Sequence, residues 1–593
     1  MGTPRYFRHA VLSVLTVYLM WSASAGLAQQ APRKVDAALL RRAPAEEWLT
    51  VGRDQSETHY SPLKQIDSTN IAKLGLAYAS DIDAPQGNIQ ATPIVANGTI
   101  YTSLAWGVIT AADARTGKYK WKYDPELPRT GANRPGMCCG AVNRGVAIYN
   151  GKIYASLIFG KLVALDAESG KEVWSAQVTD PNTDMTITSA VRIVKGKVIV
   201  GTAGAEFGVR GFFAAYDTET GKQAWRFYTV PADPAKGYET PELREAAKTW
   251  IGTDWSNVRG GGTVWDGMAY DADADLLYIG TGNGSPWNRQ YRSPGGGDNL
   301  YLCSILAVKP DTGKLVWYYQ TTPGESWDYT SVQALMLADL KINGQTRKVI
   351  MQAPKNGFFY VLDRITGKLI SAEPYTEVNW AKGIDLKTGR PIENPGVRYE
   401  NGTTVEIAPG SGGGHNWQPM AFSPITNLVY IPGSVNSRMY HSTPTYAPEK
   451  GKQLSGVDMN DFAAGQSPAG ARIANKGTFV KAWDPITQTA RWSVQQTFSA
   501  GLLATGGNLV FVPTGNGTLL ALTADKGEKV WESSPMPAGV TTPISYSLDG
   551  VQYVSVIAGR GGTGPTRLYT FKLDGTATMP AMPAPQTKGK QAK

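Results

Sequence analysis

Two cysteines stand side by side, Cys138-Cys139, in a chain whose one other cysteine is Cys303. Adjacent thiols in an oxidising compartment can close into a small strained ring, whereas as free thiols they pack as small hydrophobes, and the dipeptide leaves both readings open. Glu206 lies in a run from Gly201 to Gly211 and Asn283 in the run Gly280-Thr281-Gly282-Asn283-Gly284. In each case a polar oxygen is surrounded by residues too small to shield it. A carboxylate and an amide oxygen are donors that suit a hard cation such as Ca²⁺, although each run by itself also reads as an ordinary turn.

Other familiar chemistries fail on inspection. Gly559 to Gly564 matches G-x-G-x-x-G, but Pro565 and another strand-like run follow, so no helix N-terminus is present to receive a pyrophosphate. No Gly-Lys is followed by Ser or Thr, which removes the phosphate-binding loop. Beyond the first residues the histidines are His59, His415 and His441, too few for a histidine-rich metal site, and no Cys-x-x-Cys-His is present for covalent haem attachment. Asp271, Asp273 and Asp275 alternate as in a calcium loop but lack its glycine and terminal glutamate, and read as a solvated turn.

The elements that must position these residues follow from a repeat. Between Glu47 and about Asp574 a short apolar strand ends near an Asp, a Thr-Gly-Lys turn or a variant follows, and the next strand closes on a Trp. Copies run from Ala112 to Trp121, Leu165 to Trp174, Tyr216 to Trp225, Pro310 to Trp317, Leu362 to Ile370, Trp483 to Trp492 and Thr523 to Trp531, with a weaker one around Leu568 to Leu573. The Asp can accept from the turn backbone and the Gly can take positive φ, so each copy predicts a hairpin. Its Trp needs a neighbouring sheet to bury against, and sheets stacked radially at this period make a β-propeller. The fold class is therefore all-β, an eight-bladed β-propeller. Insertions at Asp233 to Trp255, where a short helix is expected, Trp380 to Pro409 and Val435 to Gly477 interrupt the period and are placed on one face, where they shape a site.

The ends read differently. Arg5 and Arg8, an apolar run from Ala10 to Trp21 and small residues up to Ala28 describe a secretory signal peptide over residues 1–28. Residues 29–575 form the propeller, and 576–593, rich in Pro, Ala, Gln and Lys, a flexible tail. No later segment is apolar for long enough to span a membrane. The formal charge is +9; setting aside Arg5 and Arg8 with the signal and Lys588, Lys590 and Lys593 in the tail leaves +4. That mild balance, without an arginine cluster or basic helix, argues against nucleic acid as a partner.

From Trp48 to the last blade the sequence closely resembles the pyrroloquinoline quinone (PQQ)-dependent alcohol dehydrogenases. The motifs are Cys138-Cys139 with Asn143-Arg144, Gly204 to Gly211, Gly280 to Asn283 with Pro286-Trp287-Asn288, Gly296-Gly297-Asp298-Asn299, Trp327-Asp328-Tyr329 and Pro354-Lys355-Asn356-Gly357. The resemblance implies that Glu206 and Asn283 hold Ca²⁺ and that Asp328 is the general base and a further metal contact. It places Lys355 beside the quinone oxygens, Trp265 as the floor on which the flat cofactor stacks, and a Cys138-Cys139 disulfide as the ceiling. Arg144, Thr188, Thr263 and Asn416 become polar contacts to the cofactor. Gln90 stands where family members often carry Glu, and Thr330 where lanthanide-using relatives carry an additional Asp, which favours Ca²⁺. Phe498 to Leu502 departs from the family pattern and is read as widening the pocket.

The resemblance thus implies a periplasmic enzyme that oxidises primary or secondary alcohols and delivers electrons to a soluble cytochrome c, with the identity of the alcohol and the oligomeric state left open. The rival readings are lanthanide dependence and a non-catalytic propeller scaffold of the outer-membrane assembly type. A scaffold would keep the Trp-bearing turns without needing Glu206, Asn283, Asp328 or the paired cysteines.

Overall fold

The repeated phrase folds into the predicted hairpin. In the computed structural model Asp113 Oδ1 accepts hydrogen bonds from the backbone N–H groups of Arg115 and Thr116, both at 3.0 Å, and from Thr116 Oγ1 at 2.9 Å, while Gly117 takes φ +71°. Asp166, Asp217 and Asp363 cap their turns in the same way. Two copies differ from the expected pattern. At Lys309 to Gly313 and Thr523 to Gly527 the turn closes on the carbonyl of Lys309 or Thr523, so Asp311 and Asp525 lie two positions past the capping site. Asp311 instead pairs with Lys195 and Lys197.

Residues 1–2, 33–130, 136–252, 254–443, 446–447, 449, 451–458, 475–561 and 564–582 are described. The expected signal peptide beyond Gly2 and the expected tail beyond residue 582 lie outside them. Among the described residues eight sheets follow the chain as blades 1 to 8, each of four antiparallel strands, with first strands Ile94–Ala96, Ala147–Tyr149, Arg192–Val194, Met268–Asp271, Met336–Ile342, Ala421–Ser423, Leu503–Thr505 and Ile544–Leu548; in blade 7 Tyr60–Ser61 adds a fifth strand, parallel to Leu503–Thr505. Blade 8 takes its outer strand from the other end of the sequence: Leu74–Ile82 pairs antiparallel with Thr566–Leu573 and closes the ring. The insertions add a helix, Pro241–Ala247, the hairpin Ala381–Asp385 with Arg390–Glu393, and a two-stranded sheet joining Thr404–Ile407 to Arg438–His441.

The tryptophans join the blades. Trp121 Nε1 donates to Ala167 O in the next blade at 3.0 Å, and Trp174, Trp225, Trp317 and Trp492 donate in the same way to Thr218, Pro310, Arg364 and Ala524. Each indole lies against the turn glycine of the receiving blade: a Cβ at Gly170, Gly221, Gly313, Gly367 or Gly527 would come within 2.5 to 2.7 Å of the ring. The glycine thus supplies space as well as positive φ. Where the donor changes, so does the receiver. Blade 5 carries Ser371 in place of Trp, paired with Val361, and the turn of blade 6 carries Gln488 at φ +55° in place of Gly, its Nε2 donating to that Ser371 Oγ at 2.9 Å.

A second closure escapes the repeat. Residues 46–61 cross the first strands of the blades. The carbonyls of Glu46, Gln55, Ser56, Thr58 and His59 accept from Ser547, Tyr270, Leu337, Phe422 and Ala504, and Trp48 exchanges two hydrogen bonds with Val95. Glu57 reaches blade 3 through a bidentate contact with Arg192 at 2.7 and 2.9 Å. This segment ties blades 1 and 3 to 8 together around the axis.

Candidate functional site

In an antiparallel four-stranded blade, the turn between strands two and three and the connection to the next blade emerge at the same end. Every residue selected from the sequence lies on one of these two kinds of loop. Gln90, Cys138, Cys139, Arg144, Thr188, Thr263, Trp265, Asp328 and Asn416 are on connections leading into blades 1 to 6; Glu206, Asn283 and Lys355 follow the second strands of blades 3, 4 and 5. The twelve therefore gather at one end of the propeller, and all twelve line a single cavity of about 510 Å³.

On one wall Arg144 Nη1 donates to Thr188 Oγ1 at 2.8 Å and to Trp265 O at 3.1 Å, with the guanidinium 4.8 Å from the Trp265 ring centre. Four buried polar atoms of lining residues, Gln90 Oε1, Thr263 Oγ1, Arg144 Nε and Trp287 Nε1, have no hydrogen-bond partner within the protein. Asn416 is fixed by its own loop, donating Nδ2 to Gly412 O at 2.9 Å.

On another wall Glu206 sits in the single turn Ala205–Phe207 between Gly204 at φ +99° and Gly208 at φ +70°, which explains the glycines around it. Asn283 Nδ2 donates to Glu206 Oε1 at 3.2 Å. Asp328 adopts φ +64°, a conformation that side-chain-bearing residues disfavour, and its Oδ2 and main-chain O accept from Lys355 Nζ at 2.9 and 3.0 Å. Burial pushes the Asp328 carboxyl well above the usual range; Lys355 opposes that shift and Glu206 adds to it. Burial works to lower the Lys355 ammonium, but Asp328 outweighs it and leaves the group raised.

Cys138 and Cys139 are free thiols in this structure, with their sulfurs 2.6 Å apart. The disulfide expected from the resemblance is not formed here. Sharing a hydrogen bond with Cys138 brings the Cys139 thiol down to about 7, with Arg144 acting in the same direction. A further expectation is not met: none of Phe498 to Leu502 lines the cavity. Ser499 Oγ donates to Val540 O and Gly501 packs on Pro419, so this segment bridges the connections that lead into blades 6 and 8.

The cavity also includes Trp287 and Trp417, each adjacent to or within a motif already noted, and Arg438 and Gln453 from the long insertion, which no spacing pattern signals. Among the described residues, no group of three or more His, Cys, Asp or Glu side chains is placed to hold a metal ion. Glu206, Asn283 and Asp328 combine two carboxylates with an amide. A second cavity of about 20 Å³, room for roughly one water, shares Gln90, Arg144 and Trp417 and is otherwise lined by groups that include Glu57, His59, Arg192 and Asp266. Asp266 lies 3.7 Å from Arg144 and 3.9 Å from Arg192.

Residues 48–381 match the family model described as "Glucose/ethanol/alcohol dehydrogenase, beta-propeller domain", and residues 446–559 a model of the outer membrane protein assembly factor BamB. The chain is 52% identical over 557 residues to quinohemoprotein alcohol dehydrogenase ADH IIB of Pseudomonas putida, covering 91% of this chain and 79% of that protein. The solved structure of quinohemoprotein alcohol dehydrogenase ADHIIG from the same species superposes with a TM-score of 0.87 at 46% identity, over 94% of this chain and 84% of that one. A europium-containing methanol dehydrogenase gives 0.80 at 32% identity, over 89% and 98%.

Proposed function

We propose, for a chain that belongs to the PQQ-dependent alcohol dehydrogenase family, that it oxidises primary or secondary alcohols to aldehydes or ketones using PQQ and Ca²⁺, and passes the electrons to a separate cytochrome c in the periplasm. The convergence of twelve sequence-selected residues from six blades on one cavity carries this reading. The donor set fits the group. A planar tricarboxylate needs a flat wall, cations and unspent hydrogen-bonding atoms; Trp265, Arg144, Lys355 and the unpartnered Thr263 Oγ1 and Gln90 Oε1 provide them. When bound, PQQ supplies an electrophilic carbonyl that accepts hydride from the alcohol carbon, polarised by the divalent cation.

The chain's own residues then have distinct tasks. Glu206, the amide oxygen of Asn283 and Asp328 hold the cation. Lys355 occupies Asp328 Oδ2, so Oδ1 is the oxygen that takes the alcohol proton. Arg144, itself oriented by Thr188 and Trp265 O, bears positive charge against the cofactor's carboxylates. In an oxidising compartment Cys138 and Cys139 close as the disulfide lid. Ca²⁺ is favoured because Thr330, on the cavity wall, spends its hydroxyl on Gln333 and adds no charge for a trivalent ion.

Purified apoprotein should gain dye-linked alcohol oxidation when PQQ and Ca²⁺ are both supplied. Turnover with neither present would sink the reading.

A further inference from the structure

Glu325 does not line the cavity, yet it is fully buried and its carboxylate joins two of the walls. Oε1 accepts the backbone N–H groups of Trp327 at 2.5 Å and Tyr329 at 2.9 Å, the residues on either side of Asp328. Oε2 accepts the N–H of Gly284, next to Asn283, at 3.1 Å. The chain therefore wraps one oxygen at Trp327 and Tyr329, and the residue between them, Asp328, is the one at φ +64°. Such a conformation is strained for a residue with a side chain and persists only where its surroundings fix it.

The backbone that carries this carboxylate is itself fixed. Arg292 is fully buried, and its Nη2 donates to Glu325 O at 2.5 Å, its Nη1 to Pro286 O and, at 3.0 Å, to Trp287 O, and its Nε to Asn299 Oδ1 at 3.1 Å. One guanidinium thus ties the Glu325 backbone to the segment that follows Asn283. Three N–H donors converging on Glu325 require two oxygens that only accept. Glutamine would turn an amide N–H₂ toward at least one of them, and a buried donor left facing a donor is costly.

We propose that Glu325 is a positioning residue that holds the Asp328 side chain and the Asn283 amide in mutual register, acting through the backbone on both sides of the site. This rests on the assignment of Asp328 as base and Asn283 as metal ligand. In the PQQ- and Ca²⁺-loaded enzyme, Glu325→Gln should lower kcat about a hundredfold while KM for a primary alcohol stays within about threefold, because the substrate wall is untouched. Titration of the apoprotein with Ca²⁺ in the presence of PQQ, followed by tryptophan fluorescence without substrate, should need at least tenfold more metal.

A double-mutant cycle separates positioning from general support. Adding Glu325→Gln to Asp328→Asn should reduce kcat little beyond Asp328→Asn alone, since the group being positioned is already disabled. Losses that multiply, or a kcat and a metal midpoint both within threefold of wild type, would overturn the proposal. If Glu325→Gln does not fold, Glu325→Asp, which keeps the charge but withdraws it by one methylene, is read by the same criteria. Near-normal turnover by Asp328→Asn would instead overturn the assignment of the base.

Discussion

At the scale of single residues, the site is an arrangement of charges that a cation would complete. Glu206 and Asp328 face one cavity, and the charge of Glu206 disfavours ionisation of Asp328; Lys355 offsets part of this. A divalent ion suits the remaining charge, and a trivalent one would need a further carboxylate. Thr330 is the position where that carboxylate would enter, two residues beyond Asp328 on the same wall. Thr330→Asp should therefore shift the metal preference. In side-by-side reconstitution with Ca²⁺ and a light lanthanide, the ratio of lanthanide to Ca²⁺ activity should rise at least tenfold over wild type. An unchanged ratio would show that this position does not select the ion. The exchange also removes the hydroxyl bonded to Gln333, so thermal unfolding of the apoprotein is needed to separate local packing from metal choice.

At the scale of the blade, the tryptophan and the turn glycine form one interaction divided between neighbours. Gly367 has φ +73°, and a Cβ there would lie 2.6 Å from the Trp317 ring; Gly344 on the same blade has φ +79° with nothing near its missing side chain. Gly344→Ala should cost about 1 kcal/mol from backbone strain alone, and Gly367→Ala roughly 2 to 4 kcal/mol because overpacking is added. Equal losses in urea unfolding would mean that the indole contact contributes nothing. These hairpins were legible in the sequence because Asp, Gly and Trp act over a few residues in a fixed order. The misplacement of Asp311 and Asp525 has the same origin, since a turn whose backbone closes on Lys309 or Thr523 keeps its shape without the cap. Cys138-Cys139, Glu206 and Asn283 stood out by their immediate neighbours, but the other site residues were legible only as matches to a family pattern, because no local spacing relates Gln90 to Asn416. Glu325 and Arg292 were not legible: their partners include main-chain groups, such as Gly284 N–H for Glu325, that any residue could offer.

At the scale of residues 34–593, eight sheets are closed twice, by Leu74–Ile82 on the last blade and by residues 46–61 across the first strands. The second closure contains Arg53, Glu57 and His59 at φ +76°, +57° and +48°, held by contacts to several blades at once. His59 is buried, and burial together with Arg192 lowers its pKa to about 3. The folded value lies below the ordinary one of about 6.5, so the unfolded chain binds the extra proton. The stability this neutral imidazole contributes is present above about pH 6.5 and is lost as pH falls toward 3. Glu57 acts in the opposite sense. Burial raises it to about 7 against the pull of Arg192, so its contribution is present below about pH 4.5 and lost as pH rises through 7. Arg192 and Asp266 face the same small cavity, so acid unfolding of the wild type sums several titrations and does not isolate one. His59→Asn does isolate it, because Asn is uncharged throughout and tolerates positive φ better than other residues with a side chain. Whatever the substitution costs near pH 8, the wild type should lose stability relative to the variant as pH falls, by up to about 3 kcal/mol near pH 4. Thermal unfolding of both proteins across that range would test this, and a stability difference that stayed constant with pH would mean that His59 is not the titrating group.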